Sequence, residues 1–363
     1  MKKKWNASLN QIRKWGCHHV LLLLLGTIIS IILGGILLFL CIQNTDEEEN
    51  FFKLGNTELQ KTIEKTLKIE LDEINVKQIT ALVVDQNTNL TDLRGIEQFE
   101  NLTSLTITNC CISNLEPLKN LSKLTSLNLS GNRIYNIDVL SELQEIKNLN
   151  LRNNRIYDMT PVYELEELQI LNLGSNNITV CDEEITGLSR LQELILDGNR
   201  LTNVNSIHDL PALSLLDVSK NKISVSPTLK SLENLMTLNL SDNALYEFLN
   251  AGDLPMLISL NLSDNCIGTL EQIKEYKQLE ELNISYNQLI GIDGIKKFEH
   301  LHSLDIRGNR IADVKILESL EEFNTIYVDD DFDRSQLDFM IGNFRDADDI
   351  TKSYLLEQKY GLE

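Results

Sequence analysis

The chain has 363 residues, with 33 Lys and Arg against 54 Asp and Glu, and a formal net charge of −21 at pH 7. An acidic excess of this size argues against nucleic acid and anionic lipid surfaces as ligands, because both recruit clustered cations. The cations that do cluster are at the start: Lys2, Lys3, Lys4, Arg13 and Lys14 lie in the first 19 residues, which hold no acid.

That basic tail runs into Val20 to Ile42, VLLLLLGTIISIILGGILLFLCI, 23 residues without a charge. As a helix this stretch is about 34 Å long, enough for the ~30 Å hydrocarbon core of a bilayer. The cations precede it and Asp46, Glu47, Glu48 and Glu49 follow, so the positive-inside rule puts residues 1–19 in the cytoplasm and the remainder outside. The apolar run is longer than that of a cleaved secretory signal, and Leu40 stands where a lipoprotein signal needs a small residue before Cys41. An uncleaved single-span anchor is therefore expected. Gly26, Ser30 and Gly34 recur every four residues along it, a small-residue face of the kind that lets two membrane helices approach, and homodimerisation through that face follows as an expectation.

Residues 43–50 are an acidic linker. Thr57, Glu58, Leu59 and Gln60 then read as a capping box, followed by Leu59, Ile63 and Leu67 at helical spacing, which predicts a helical cap over residues 51–78. From residue 79 to about 331 one unit, LxxLxLxxNxI, recurs. LTSLNLSGN at Leu124 to Asn132 is a representative copy, and its asparagine returns at Asn154, Asn176, Asn199, Asn221, Asn243, Asn265, Asn287 and Asn309 in steps of 22 with one of 23. Cys110 and Asn87 extend the same register toward the N-terminus, and Asp331 stands in it at the far end.

A fixed period of this length means stacked repeats. The alternating LxL predicts a short strand with one face inward, and the threefold spacing of Ile134, Ile137, Leu140 and Leu143 predicts a tight returning segment. A single copy cannot bury its own leucines, but stacked copies can, with every strand in one parallel sheet. An amide side chain at the inward turn carries two donors and an acceptor for backbone groups that the turn strands in an apolar interior, so the asparagines read as scaffold.

This pattern resembles leucine-rich repeat proteins of the 22-residue class. Together with the cap and the run ITALVVDQNTNLTDLRGIEQFENLTSL, it is similar to the internalin-like bacterial repeat proteins over residues 51 to 328. The resemblance implies an α/β solenoid: a horseshoe with its parallel sheet on the concave side, helical caps at both ends, and here one transmembrane helix in front. It also implies protein binding rather than catalysis. The immunoglobulin-like module and wall-sorting signal usual in internalins are not seen in this sequence, so host-cell adhesion is not carried over.

Past the repeats, residues 332–363 read as a C-terminal cap: a short helix at Ser335 to Asp338 with Leu337, Phe339, Met340 and Ile341, stopped by Gly342, and a further helix opening at Asp349. The cysteines offer no disulfide: Cys181 and Cys266 are four repeats apart, about 19 Å at the ~4.8 Å strand spacing, well beyond bridging reach. With no disulfide-rich caps, and Asn-x-Ser triplets at Asn128, Asn239, Asn261 and Asn283 where sugars would crowd the sheet, a bacterial cell surface is the expected home.

No phosphate loop, nucleophile elbow or HExxH is present, so neither an enzyme nor a cofactor is expected. His208, His300 and His302 have no ligand set at sequence spacing, and the run Asp329 to Asp333 lacks the glycine and closing glutamate of a calcium loop, so no metal is expected either.

What remains is surface. The concave-face positions flank the two leucines of LxL, and most hold default polar residues such as Ser126, Asn128 and Ser130. Three neighbouring repeats depart from this with Ile170, then Glu193, Ile195 and Asp197, then Leu215 and Asp217. An apolar group ringed by acids is the predicted docking patch for a protein partner, a basic one by electrostatic steering. Tyr286, Asp305, Arg307 and Tyr327 form a secondary candidate group. The competing expectation is a structural spacer or assembly element of the envelope without a dedicated ligand.

Overall fold

The structure is a computed structural model that describes residues 52–179, 185, 187–249, 251–330 and 332–337. The predicted membrane segment with Gly26, Ser30 and Gly34, the acidic linker, Cys181, Asp331 and the helix predicted from Asp349 lie outside the described residues. Among those described, no helix is long and apolar enough to cross a membrane.

The first described element is helix α1, Thr57–Leu67, which buries Leu59 and Ile63 against the start of the repeats. Its cap is Asn56, one residue before the Thr57 expected from the capping-box pattern. Asn56 Oδ1 accepts from Leu59 N–H at 3.1 Å, and an asparagine there serves as well as a threonine. Gln60 does not complete a box; it reaches back to the Leu54 N–H and the Phe52 carbonyl, tying down the chain that enters the helix. A short helix α2, Asn75–Gln78, leads into the sheet. Asn87 joins the cap to the first repeat: its Nδ2 donates to Thr62 Oγ1 at 2.7 Å and to Glu58 at 3.2 Å.

Twelve strands follow in sequence order and form one parallel sheet. They are β1 Ala81–Asp85, β2 Ser104–Thr108, β3 Ser126–Asn128, β4 Asn148–Asn150, β5 Ile170–Asn172 and β6 Glu193–Ile195. The second half is β7 Leu215–Asp217, β8 Thr237–Asn239, β9 Ser259–Asn261, β10 Glu281–Asn283, β11 Ser303–Asp305 and β12 Thr325–Tyr327. The first leucine of each LxL pairs with its counterpart one repeat on, as in Leu127 with Leu149 and Leu149 with Leu171, and all of these are buried. Short strands suffice because the register repeats and each rung is supported on both sides.

The chain returns through 3₁₀ segments in several repeats, among them Asp138–Glu142, Thr160–Glu164, Asp293–Lys297 and Lys315–Ser319, as the threefold apolar spacing predicts. Beyond β12 a 3₁₀ turn, Arg334–Leu337, buries Leu337, while Gln336 bonds the Val314 N–H and the Ala312 carbonyl of the last repeat.

A second column accompanies the asparagines. The residue just before each register position is left-handed throughout: Gln86, Asn109, Gly131, Asn153, Ser175, Gly198, Lys220, Asp242, Asp264, Tyr286 and Gly308 all have φ between 51° and 71°. This conformation turns the chain inward after the strand. It also points the N–H at the next repeat, as in Asn153 N–H to the Gly174 carbonyl at 2.8 Å and Gly198 N–H to the Ser219 carbonyl at 2.9 Å.

Candidate functional site

The asparagine column is fully engaged. Asn176 Oδ1 accepts from the Ile156 N–H at 3.0 Å, and its Nδ2 donates to the carbonyls of Leu151 and Leu173, both at 3.0 Å. The same three bonds recur at Asn132 and Asn154, at Asn199, Asn221 and Asn243, and at Asn265, Asn287 and Asn309. Each amide thus clamps its own repeat to the one before. Cys110 offers a thiol in place of the amide, donating to the Thr108 carbonyl at 3.2 Å and facing the Asn87 backbone N–H. The reason lies one repeat back, where the Leu90 N–H is already satisfied by the Asn87 carbonyl and needs no amide.

On the outer face of the sheet, the position between the two leucines forms another structural column. Asn128, Asn150, Asn172, Asp217, Asn239, Asn261, Asn283 and Asp305 each accept, through the side-chain oxygen, the backbone N–H two residues on. These polar residues are therefore local clamps as well as surface. Ile195 interrupts the column: a β-branched apolar side chain stands where its neighbours on both sides, Asn172 and Asp217, hold their own backbone. Asp217, read from the sequence as a free steering acid, has one oxygen committed to the Ser219 N–H at 2.9 Å.

The register brings the predicted patch together. Ile170, Glu193 and Leu215 occupy one rung row, and Ile195 and Asp217 the next. The three aliphatic residues are half-buried rather than fully exposed. Asp197 requires a correction. It is only 8% exposed and receives a bidentate pair from Arg152, Nη1 to Oδ1 at 2.5 Å and Nη2 to Oδ2 at 2.8 Å. Hydrogen bonding to Asp197 pushes the Arg152 guanidinium above its ordinary value, and the charge of Asp217 adds to that. The pair spans two repeats and arches over Gly174, where a Cβ would collide with both Arg152 Nη1 and Asp197 Oδ1. Asp197 is thus neutralised within the chain, and its acid is not available to a partner.

The apolar surface also runs further than the LxL positions indicate. Met236 and Met256 are 40% and 45% exposed, and Ile258, whose N–H bonds the Met236 carbonyl, is half-buried beside them. Met236 immediately precedes Thr237, the rung partner of Leu215, so these residues extend the patch along the margin of the sheet. The signal for Met236 and Ile258 is the column one residue before the strand, which is otherwise largely polar, as in Gln169, Gln192 and Ser214.

The secondary group also converges, but on itself. Arg307 donates to Asp305 through Nε at 3.0 Å and Nη2 at 2.6 Å, and its guanidinium lies 5.4 Å from the Tyr327 ring centre. Tyr286 lies over Gly308 and is well exposed. Asp305 is buried, so the group presents two tyrosines and the edge of a paired arginine.

Comparison with known proteins agrees with this geometry. The descriptions "Leucine Rich repeats (2 copies)" at residues 277–322, "Leucine rich repeat" at 158–201, and "Leucine Rich repeat" at 120–136 and 253–269 match the sequence. No curated protein matches it. Among solved structures, the internalin InlF of Listeria monocytogenes is similar at 22% identity and a TM-score of 0.61, over 79% of this chain and 93% of that one. The functional domain of the Listeria internalin InlJ, described as including a cysteine ladder, aligns at 23% identity and a TM-score of 0.62 over 74% of this chain, which spans 58% of that protein's length. A leucine-rich repeat protein of Leptospira interrogans aligns at 26% identity and a TM-score of 0.56 over 70% of this chain and 73% of its own. The chain carries leucine-rich repeats, and its structural neighbours include internalins.

Proposed function

We propose that the chain is a membrane-anchored receptor or adaptor that binds a protein through the outer face of its sheet, on the extracytoplasmic side of a bacterial envelope. The anchor rests on the 23 uncharged residues at 20–42 and on the charge asymmetry around them, and dimerisation through Gly26, Ser30 and Gly34 belongs to the same reading. Ile195 carries the binding reading. It abandons a backbone bond that the same column makes on both sides, which a purely structural repeat has no reason to do.

Around it, Ile170, Leu215 and Met236 supply apolar anchors, and the Arg152–Asp197 pair fixes the surface between them. Glu193 and the remaining charge of Asp217 favour a basic partner, drawn in by the acidic field of the whole chain. Photo-crosslinking tests this: a crosslinker at position 195 of the full-length chain yields a discrete adduct, while one at the exposed Val225 yields none. Equal yields from both positions would contradict it.

A further inference from the structure

The apolar residues on the outer face of the sheet fall on one oblique line. Ile195 pairs with Asp217, and Leu215 stands two residues before that partner; Leu215 pairs with Thr237, and Met236 stands one residue before it. Ile258 follows on the next rung, where its N–H meets the Met236 carbonyl at 2.9 Å. At ~4.8 Å per rung and ~3.3 Å per residue, Ile195 to Ile258 is about 17 Å. Leu257 is fully buried, so Met256 emerges on the same outer side as Ile258 and carries the line further.

Charge follows the same line. Ile195, Leu215, Glu193 and Asp217 are the corners of one square in the register, with the apolar pair on one diagonal and the two acids on the other. From β5 to β10, the strand residues on either side of the first buried leucine, together with the residue before each strand, include Glu193, Asp217, Glu280 and Glu281 but no lysine or arginine.

We propose that this line seats a basic amphipathic α-helix of the protein partner. The proposal rests on the docking reading above and names the element that docks. Strands β6 to β9 are paired on both edges, so a segment laid across their face meets no free strand backbone. An extended segment there would leave its own N–H and C=O groups unpaired, whereas a helix satisfies them internally. A helix of about 12 residues covers the length and offers an apolar stripe to a single file of side chains. Met236 and Met256, unbranched and adaptable, fit their shape to the incoming face. Lysines or arginines bordering that stripe meet Glu193 on one side and Asp217 on the other, with no cation of the sheet to repel them.

The test is titration of the full-length chain with a fluorescent Leu–Lys peptide of about 14 residues, patterned for one apolar helix face. Beside it run the same peptide with a central proline, which cannot remain helical, and the same pattern in Leu and Glu. We expect saturable binding of the Leu–Lys peptide with a gain of helical circular dichroism. Binding should be about tenfold weaker or more for the two control peptides and for Met236→Asn/Ile258→Asn, each variant melting as wild type. No saturable binding, or equal binding of a control peptide, would overturn the proposal. Binding unaffected by Met236→Asn/Ile258→Asn but lost in Ile195→Asn/Leu215→Asn would overturn the helix and leave the docking face standing. Binding indifferent to both variants would overturn the docking face with it.

Discussion

At the scale of single residues, the asparagine column makes the sharpest demand. Asn176→Ala leaves the Ile156 N–H without a partner inside the solenoid and takes one of two amide donors from the Leu151 carbonyl, which Asn154 still serves, and should destabilise by about 1–3 kcal/mol in chemical denaturation. Cys110→Ala, which removes only weak thiol contacts, should cost clearly less. The Arg152–Asp197 pair is partly solvated, with the Arg152 side chain 41% exposed, so screening limits its coupling in a double-mutant cycle to about 1 kcal/mol. Gly174→Ala should break that pair through its Cβ alone.

His300 and Glu322, which meet across neighbouring rungs, set a pH dependence. Hydrogen bonding to Glu322 holds His300 above its ordinary 6.5, and hydrogen bonding to His300 holds Glu322 below its ordinary 4.5. A raised histidine contributes fully below its unfolded value and loses that contribution as pH rises through the folded one. A lowered carboxylate contributes above its unfolded value and loses it as pH falls through the folded one. The pair therefore supports the fold most between about pH 4.5 and 6.5. Glu322→Gln should lower the His300 midpoint in an NMR titration, and an unmoved midpoint would dissociate the two groups.

At the scale of elements, the strand, the returning turn and the asparagine were all legible, because each leaves an apolar period or a fixed polar residue in every repeat. The left-handed column was harder to see. Its only sequence trace is Gly131, Gly198 and Gly308 alternating with Asn109 and Asn153, and residues such as Lys220 and Tyr286 in the same column disguise it. A side chain there costs about 1 kcal/mol, so Ser175→Gly should raise stability by a fraction of that, less the added freedom of the unfolded chain. A lowered melting temperature would mean that Ser175 makes contacts that outweigh its backbone strain. The cap was legible to within one residue: the run Asn56–Thr57 offers two capping side chains, and pattern alone does not choose between them.

At the scale of the whole molecule, repetition is what made the surface readable. Once every repeat has the same register, Ile170, Ile195 and Leu215 stand out by comparison with their own columns. Asp197 misled because its partner Arg152 comes from two repeats away, and Gly174 between them is informative only once the stack is built. Met236 and Ile258 escaped because the margin of the sheet begins one residue earlier than the leucine pattern implies. The His300, His302, Glu280 and Glu322 cluster is likewise invisible along the chain, since its members lie 22 residues apart and meet only across rungs.

The sheet around Ile195 is proposed as a protein-binding face. Affinity capture from envelope extracts with the full-length chain tests it most directly, run beside an Ile195→Arg/Leu215→Arg variant and an off-sheet Val225→Arg/Tyr246→Arg variant, each confirmed to melt as wild type. A species held by wild type and the off-sheet variant but lost by the sheet variant is the predicted result. A species held equally by all three, or by none, would contradict it.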